Sequence, residues 1–347
     1  MGALKEWKRT AVRRKADGGD EEKAAFKSML WSTRFTILTT VVVTIAGLML
    51  AGLIGMMALA AYYTISGKSA EFDRLTATLV ETHETGLRVE NVSTGAASLT
   101  PWLTQRTTLK LYRQVGYWDA VAGEVHASKS LFGDLHYELR LSSPHMNAAK
   151  TFAFVAPNEL HGKGSASIAP NDSVRVWEQL SHIGDGYVAE MAFSTRSGME
   201  PGQLQQRLNG VNVRLLNMPV YAGELKEITK LSSYSSSGSD YWLPHLNLRP
   251  LKIYYQSGSS FSKWFGDEAL LQQSLDQMLI DLEWLTGGAS YEGKETDKQR
   301  LAYLRNNGVI VYGGVVTGPV RELEKLREDR EFHHFQLGRI EVWNWQD

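Results

Sequence analysis

The chain has 347 residues, enough for a membrane anchor plus one large or two small domains. Its formal net charge of −1 gives no global basic character, so no direct nucleic-acid partner is expected. It contains no cysteine, which excludes disulfides, thiolate metal sites and cysteine nucleophiles.

Residues 1–34 form a basic tail, with nine Lys or Arg against five Asp or Glu. Leu4, Trp7 and Ala11 fall on one face of a helix, with basic residues around them. The run Ala16-Asp17-Gly18-Gly19-Asp20 predicts a break. Asp20 is placed to cap a second helix through Arg34 that carries Phe26, Met29, Leu30 and Trp31 toward a bilayer. On the residues alone, a basic segment resting on anionic lipid is the simpler reading. The alternative is a docking helix for a cytoplasmic partner. Leu4, Trp7, Ala11, Phe26 and Leu30 are then the candidate partner contacts.

Residues Phe35 to Tyr63 carry no charge. About 20 apolar residues cross the hydrocarbon of a bilayer, and this run exceeds that. It is too long, and its basic flank begins too far into the chain, for a cleaved signal peptide. Gly47, Ala51 and Gly55 recur at four-residue spacing; ordinary use of small residues in membrane helices is the simpler reading, and a helix-packing face is the alternative. Basic residues crowd the N-terminal flank, whereas only Lys68 and Arg74 follow closely on the other side. The positive-inside rule therefore puts the N-terminus in the cytoplasm and residues 64–347 outside the cell membrane.

Residues 66–84 read as a polar extension of the membrane helix. From Gly86 onward short alternating runs predict strands, at Thr108–Tyr112, Leu135–Leu141 and Thr151–Val155. His161 to Ser173 reads as a loop. Residues 64–180 are thus taken as a β-rich segment and 181–347 as an α/β domain.

Within that domain Tyr187 to Thr195 alternates like a strand. Pro201 opens a helix to about Leu208, Gly210 ends it, and Val211 to Leu216 is the next strand. The arrangement returns near the C-terminus. Val309 to Val316 is a strand, and Pro319 starts a helix with Val320, Leu323 and Leu326 on its inner stripe. Phe335 to Trp343 is the last strand, and its apolar parity switches across Gly338, which predicts a β-bulge. Two strand–helix–strand units imply an α+β fold, a ferredoxin-like sandwich preceded by the β-rich segment. Between the units, Leu271, Leu275, Met278, Leu282 and Leu285 mark an amphipathic helix. A second helix spans roughly Glu295 to Asn306 and is closed by Gly308. Leu231 to Tyr241 reads as a flexible loop.

Apparent catalytic motifs fail. Gly288 to Glu295 matches a phosphate-binding loop until its last position, where Ser or Thr should stand, and it follows a helix rather than a strand. His333 and His334 are adjacent on a strand and should face opposite sides. His126 and His136 are isolated. No enzyme activity, metal or cofactor is expected.

The run Asn307-Gly308-Val309-Ile310-Val311-Tyr312-Gly313-Gly314-Val315-Val316-Thr317-Gly318-Pro319 resembles the signature of the sigma factor regulator C-terminal domain. Leu337 to Trp345 is similar to that domain's closing strand. Residues from about Lys23 through the membrane helix and into the first outer strands resemble the family's N-terminal module. The resemblance implies a membrane-bound anti-sigma factor of the kind found in Bacillus-like bacteria. Such a protein holds an extracytoplasmic-function sigma factor at the membrane and releases it during envelope stress. It implies contact through short helices of the 34-residue tail, directly or through a small membrane co-regulator. Tethering raises effective concentration, so a modest interface suffices. Gly313, Gly318 and Pro319 are expected to be turn and close-packing positions. A membrane-anchored sensor or binding module without sigma contact is the alternative.

Overall fold

The computed structural model describes residues 3–90, 97–100, 103–130, 133–142, 152–161, 173–224, 235–237, 240–242, 245–254, 260–262, 264–288 and 290–345, and of residues 3–25 the backbone only. Contact clustering separates residues 1–62 from a second unit, residues 63–347.

The first helix, α1, runs from Ala3 to Ile65 without interruption. The break expected at Ala16–Asp20 is absent. Each glycine in a helix costs about 1 kcal/mol relative to alanine, and the Ala-, Lys- and Glu-rich flanks outweigh that here. Residues Phe26–Tyr63 of α1 are long and apolar enough to cross a membrane. Hydroxyls in this stretch are satisfied within the helix. Thr36, Thr40 and Thr44 each donate to the carbonyl four residues back, at 2.8 Å. Such back-bonding lets threonine sit in an apolar environment without an orphaned polar group.

Helix α2 (Lys68–His83) follows Gly67, whose φ of +75° takes the chain through the left-handed region. Residues 66–84 are therefore not a polar extension of α1. Phe72, Leu75, Leu79 and Val80 of α2 are buried, and so are Asp73 and Glu81.

Strands β1 (Arg88–Val89), β2 (Ser98–Leu99), β3 (Gln105–Val115), β4 (Trp118–Lys129) and β5 (Leu135–Leu141) form an antiparallel sheet in which β3 is paired with β1, β2 and β4. Leu109, Leu111 and Val125 of this sheet pack on Ala77 and Val80 of α2. The strand expected at Thr151–Val155 is instead an extended strap over its described part. Ala153 N–H is 3.2 Å from Gln336 Oε1, and Val155 N–H donates to Ser194 Oγ at 3.0 Å. Side chains thus supply bonds that a neighbouring strand would otherwise make. Phe152 and Phe154 drive the strap inward. Of the expected loop His161–Ser173, residues 162–172 lie outside the described residues. Two helices flank them, α3 (Asn158–His161) and α4 (Ser173–Ser181).

Strand β6 (Tyr187–Met199), helix α5 (Pro201–Leu208) and strand β7 (Arg214–Tyr221) form the first strand–helix–strand unit. β7 starts three residues later than expected because Val211 and Val213 make tight-turn hydrogen bonds to Leu208 and Val211 carbonyls. Next come β8 (Ser235–Ser237), β9 (Asp240–Trp242), β10 (Leu246–Leu248), β11 (Lys252–Tyr254) and β12 (Ser260–Ser262). β8 and β9 pair, so the described part of the expected loop at 231–241 is a short ribbon. Helices α6 (Glu268–Gly288) and α7 (Lys294–Asn307) match the expected amphipathic pair, and Gly308 closes α7 with φ +77°. Strand β13 (Ile310–Pro319), helix α8 (Val320–Lys325) and strand β14 (Phe332–Val342) complete the second unit.

The second sheet has the order β10-β7-β13-β6-β14, with every neighbouring pair antiparallel. Without β10, the two units give the 4-1-3-2 order of a ferredoxin-like sandwich. One face carries Leu204, Leu208, Leu271, Leu282, Val320 and Leu323 in a common core with Met191 and Phe193. The other face packs Tyr221, Tyr312 and Val315 beneath Phe152 and Phe154. The bulge expected near Gly338 is present, as a register shift between Leu337 and Ile340. A second shift follows His333, where His334 has φ +50°, so simple alternation does not hold for the His pair. The expected boundary between residues 180 and 181 falls inside the unit that spans residues 63–347.

Candidate functional site

Leu4, Trp7 and Ala11 lie on the α1 backbone, and their side chains are outside the described residues. Phe26 and Leu30 are 64% and 43% exposed, on the same helix. Neighbouring Met29 and Trp31 are exposed as well. Gly313 lies within β13 rather than in a turn. A Cβ there would come within 2.4 Å of the Phe193 carbonyl oxygen. At Gly318 a Cβ would come within 2.9 Å of Val213 Cγ1 and 3.0 Å of the Asn212 carbonyl oxygen. Pro319 caps α8 with φ −55°, the angle its ring imposes.

The densest polar constellation lies elsewhere, where α2 enters the core. Glu81 is buried and meets Lys252 Nζ of β11 at 2.5 Å and Arg249 at 3.4 Å. Its Oε1 also accepts from Val89 N–H at 2.9 Å. Arg249 continues to Asp281 of α6 at 2.5 Å, and Gln277 donates to the same carboxylate at 2.8 Å. Burial alone would raise the pKa of Glu81. The two cations beside it outweigh that, and its carboxyl stays below the usual range.

Two residues further along α2, His83 Nε2 is 3.0 Å from Asp297 of α7, and Nδ1 is 2.9 Å from the Leu79 carbonyl. Both ring nitrogens face acceptors, which suits the imidazolium. Burial disfavours that charge, but Asp297 and the two hydrogen bonds prevail, and the His83 pKa is raised. Asp297 also accepts from Tyr291 at 2.8 Å and Arg300 at 3.1 Å. Its pKa is lowered, because these partners overcome its own burial. Arg300 in turn reaches Glu224 at 3.1 Å. Just past α2, the Thr85 hydroxyl donates to Asn247 Oδ1 at 2.9 Å and lies 2.6 Å from His245 Nε2.

This network can hold α2, the segment that begins three residues after α1, firmly to β10, β11, α6 and α7. Among the described residues, no group of three His, Asp or Glu could hold a metal ion. The spacing of Phe72, Leu75 and Leu79 was a legible sign that α2 turns one face inward. Nothing local marks Glu81 or His83, whose partners lie 171 and 214 residues away.

A two-unit antiparallel sandwich of this order, with a helical pair inserted between its units, defines a ferredoxin-like α+β domain. Residues 180–339 match the family model described as "Sigma factor regulator C-terminal". That match spans 160 of the chain's 347 residues and takes in most of the second sheet. A curated relative is the "Probable anti-sigma-M factor YhdL" of Bacillus subtilis (strain 168). It is 44% identical over 46 residues, a stretch covering 13% of this chain and 13% of that one. No solved structure matches. Among the described residues, one helix is long and apolar enough to cross a membrane.

Proposed function

We propose that this protein is a membrane-anchored anti-sigma factor. Its N-terminal segment sequesters an extracytoplasmic-function sigma factor, and its folded unit outside the membrane governs release under envelope stress. The observation that carries the reading is the sigma factor regulator C-terminal match over residues 180–339. The partial likeness to an anti-sigma-M factor and the apolar stretch Phe26–Tyr63 support it. The excess of basic residues before that stretch favours a cytoplasmic N-terminus. Leu4, Trp7, Ala11, Phe26 and Leu30 are the residues proposed to meet the partner, or a small membrane co-regulator that does. The polar network around α2 ties that helix, which begins three residues after α1, to the rest of the folded unit. The test is genetic and biochemical together. Residues 1–34 fused to an affinity tag should co-purify with a sigma factor, and deletion of the gene should raise that factor's regulon. An unchanged regulon after deletion refutes the reading. A tail exchanged for an unrelated basic anchor without loss of function would favour a sensor that lacks sigma contact.

A further inference from the structure

We propose that a cleft at the start of α2 binds the phosphate-bearing head of an anionic amphiphile at the bilayer surface. The cleft has a volume of about 270 Å³ and is lined by Tyr63, Lys68, Glu71, Leu103, Lys129 and Trp284, over a floor of Phe72 and Leu75. Its place along the chain suggests where the ligand comes from. Tyr63 is the last residue of the apolar stretch. Even a fully extended chain carries Lys68 no more than about 18 Å beyond it. The mouth of the cleft is therefore within reach of lipid headgroups.

The lining has the chemistry of such a head and the first carbons of its tail. Lys68 is exposed, Lys129 is half-buried, and neither forms an ion pair among the described residues. Two ammonium groups against the single carboxylate of Glu71 leave the cleft cationic. Behind the lining, the Arg74 guanidinium stacks 4.8 Å from the Trp284 ring centroid and holds that ring in place. Phe72, Leu75 and Trp284 present apolar surface beside these charges, which inorganic phosphate would leave unused. One rim is also conformationally unusual. Leu103 has φ +57°, rare for a branched apolar residue, and is held by hydrogen bonds at Thr100 of 3.0 Å from its own N–H and 3.2 Å from Thr104 N–H. Held backbone of this kind is concentrated at ligand clamps.

The inference rests on the membrane-crossing part of the proposed function and not on the sigma partner. The full chain, released from dodecyl maltoside micelles, would be examined by native mass spectrometry with dodecyl phosphate, inorganic phosphate or dodecyltrimethylammonium. One dodecyl phosphate should bind per chain. Lys129→Glu should weaken it about tenfold, the loss of one charge-assisted hydrogen bond, while Lys129→Arg keeps it. Lys68→Gln, on an exposed turn, gives a second reading should Lys129→Glu misfold, and it should weaken binding in the same sense. Glu71→Gln should tighten binding by removing a like charge. Equal binding by the lysine variants and the parent overturns the proposal. So does inorganic phosphate matching dodecyl phosphate, or a preference for the cationic amphiphile. None of these outcomes depends on whether a sigma factor is bound.

Discussion

Tyr312 sits in the middle of β13 with its ring packed edge-on against Phe154 and His245. Its hydroxyl is buried and has no hydrogen-bond partner among the described residues. Burial, then the nearby Glu224 charge, hold the phenol well above its ordinary pKa. A desolvated hydroxyl without a partner costs free energy that an isosteric apolar ring does not. Tyr312→Phe should therefore stabilise the protein by about 1 kcal/mol, and raise its melting temperature by about 2 °C. Thermal denaturation of the full chain checks this, and a lower melting temperature would contradict it. At the next residue, Gly313, and at Gly318, the sequence led to an expected turn and close-packing role. Gly313 and Gly318 are confined by carbonyl oxygens of Phe193 and Asn212, parts of other strands and turns that no local pattern identifies.

At the scale of elements, α2 is where sequence and structure part most. Its polar residues suggested solvent, but Glu81 and His83 are charges brought inside because their partners are there too. A buried pair need not stabilise more than an apolar replacement, yet removing one partner strands the other. Glu81→Gln and Lys252→Met should each cost about 3 kcal/mol, and the double variant clearly less than their sum. Urea denaturation of the three variants, followed by tryptophan fluorescence, measures the coupling. The His83–Asp297 contact adds a pH dependence. His83 has a raised folded pKa, so its contribution is complete below its unfolded value of about 6.5. That contribution fades as pH rises through the higher folded value. Asp297 has a lowered pKa, so its contribution is present above about 3.9 and fades as pH falls through the lower folded value. The stability lost in His83→Gln should be largest between those limits and should shrink toward alkaline pH. A loss that is the same at pH 5 and pH 9 would show that His83 is not charged in the folded protein.

For the whole molecule, the proposed orientation makes a direct prediction. A reporter enzyme active only outside the cytoplasm, fused after Asp347, should be active, and the same reporter fused before Met1 should be silent. The reverse pattern would reject the positive-inside assignment and place the folded unit with the cytoplasmic machinery. The proposed mechanism also asks that the α2 network act as a unit. Glu81→Gln should then alter sigma-dependent transcription more than a comparable destabilisation made in α8, remote from α1 in sequence.

What the sequence by itself determined was whatever local periodicity and composition control. It located the apolar stretch, the helix from Pro201 to Leu208, the amphipathic α6, the bulge at Gly338 and the repeated strand–helix–strand pattern. From the repeat it implied the sandwich whose strand order the structure displays. Each of these is set by neighbours within a few residues, where spacing, proline and glycine act directly. Only the tertiary structure decided that residues 68–83 are core rather than stalk, that the strap at 152–155 is bonded by Gln336 and Ser194 in place of a strand, and that Glu81 and His83 lie inside a folded unit beside Lys252 and Asp297. The reason is physical. A buried charge depends on a counter-charge, and here Lys252 and Asp297 arrive from 171 and 214 residues away.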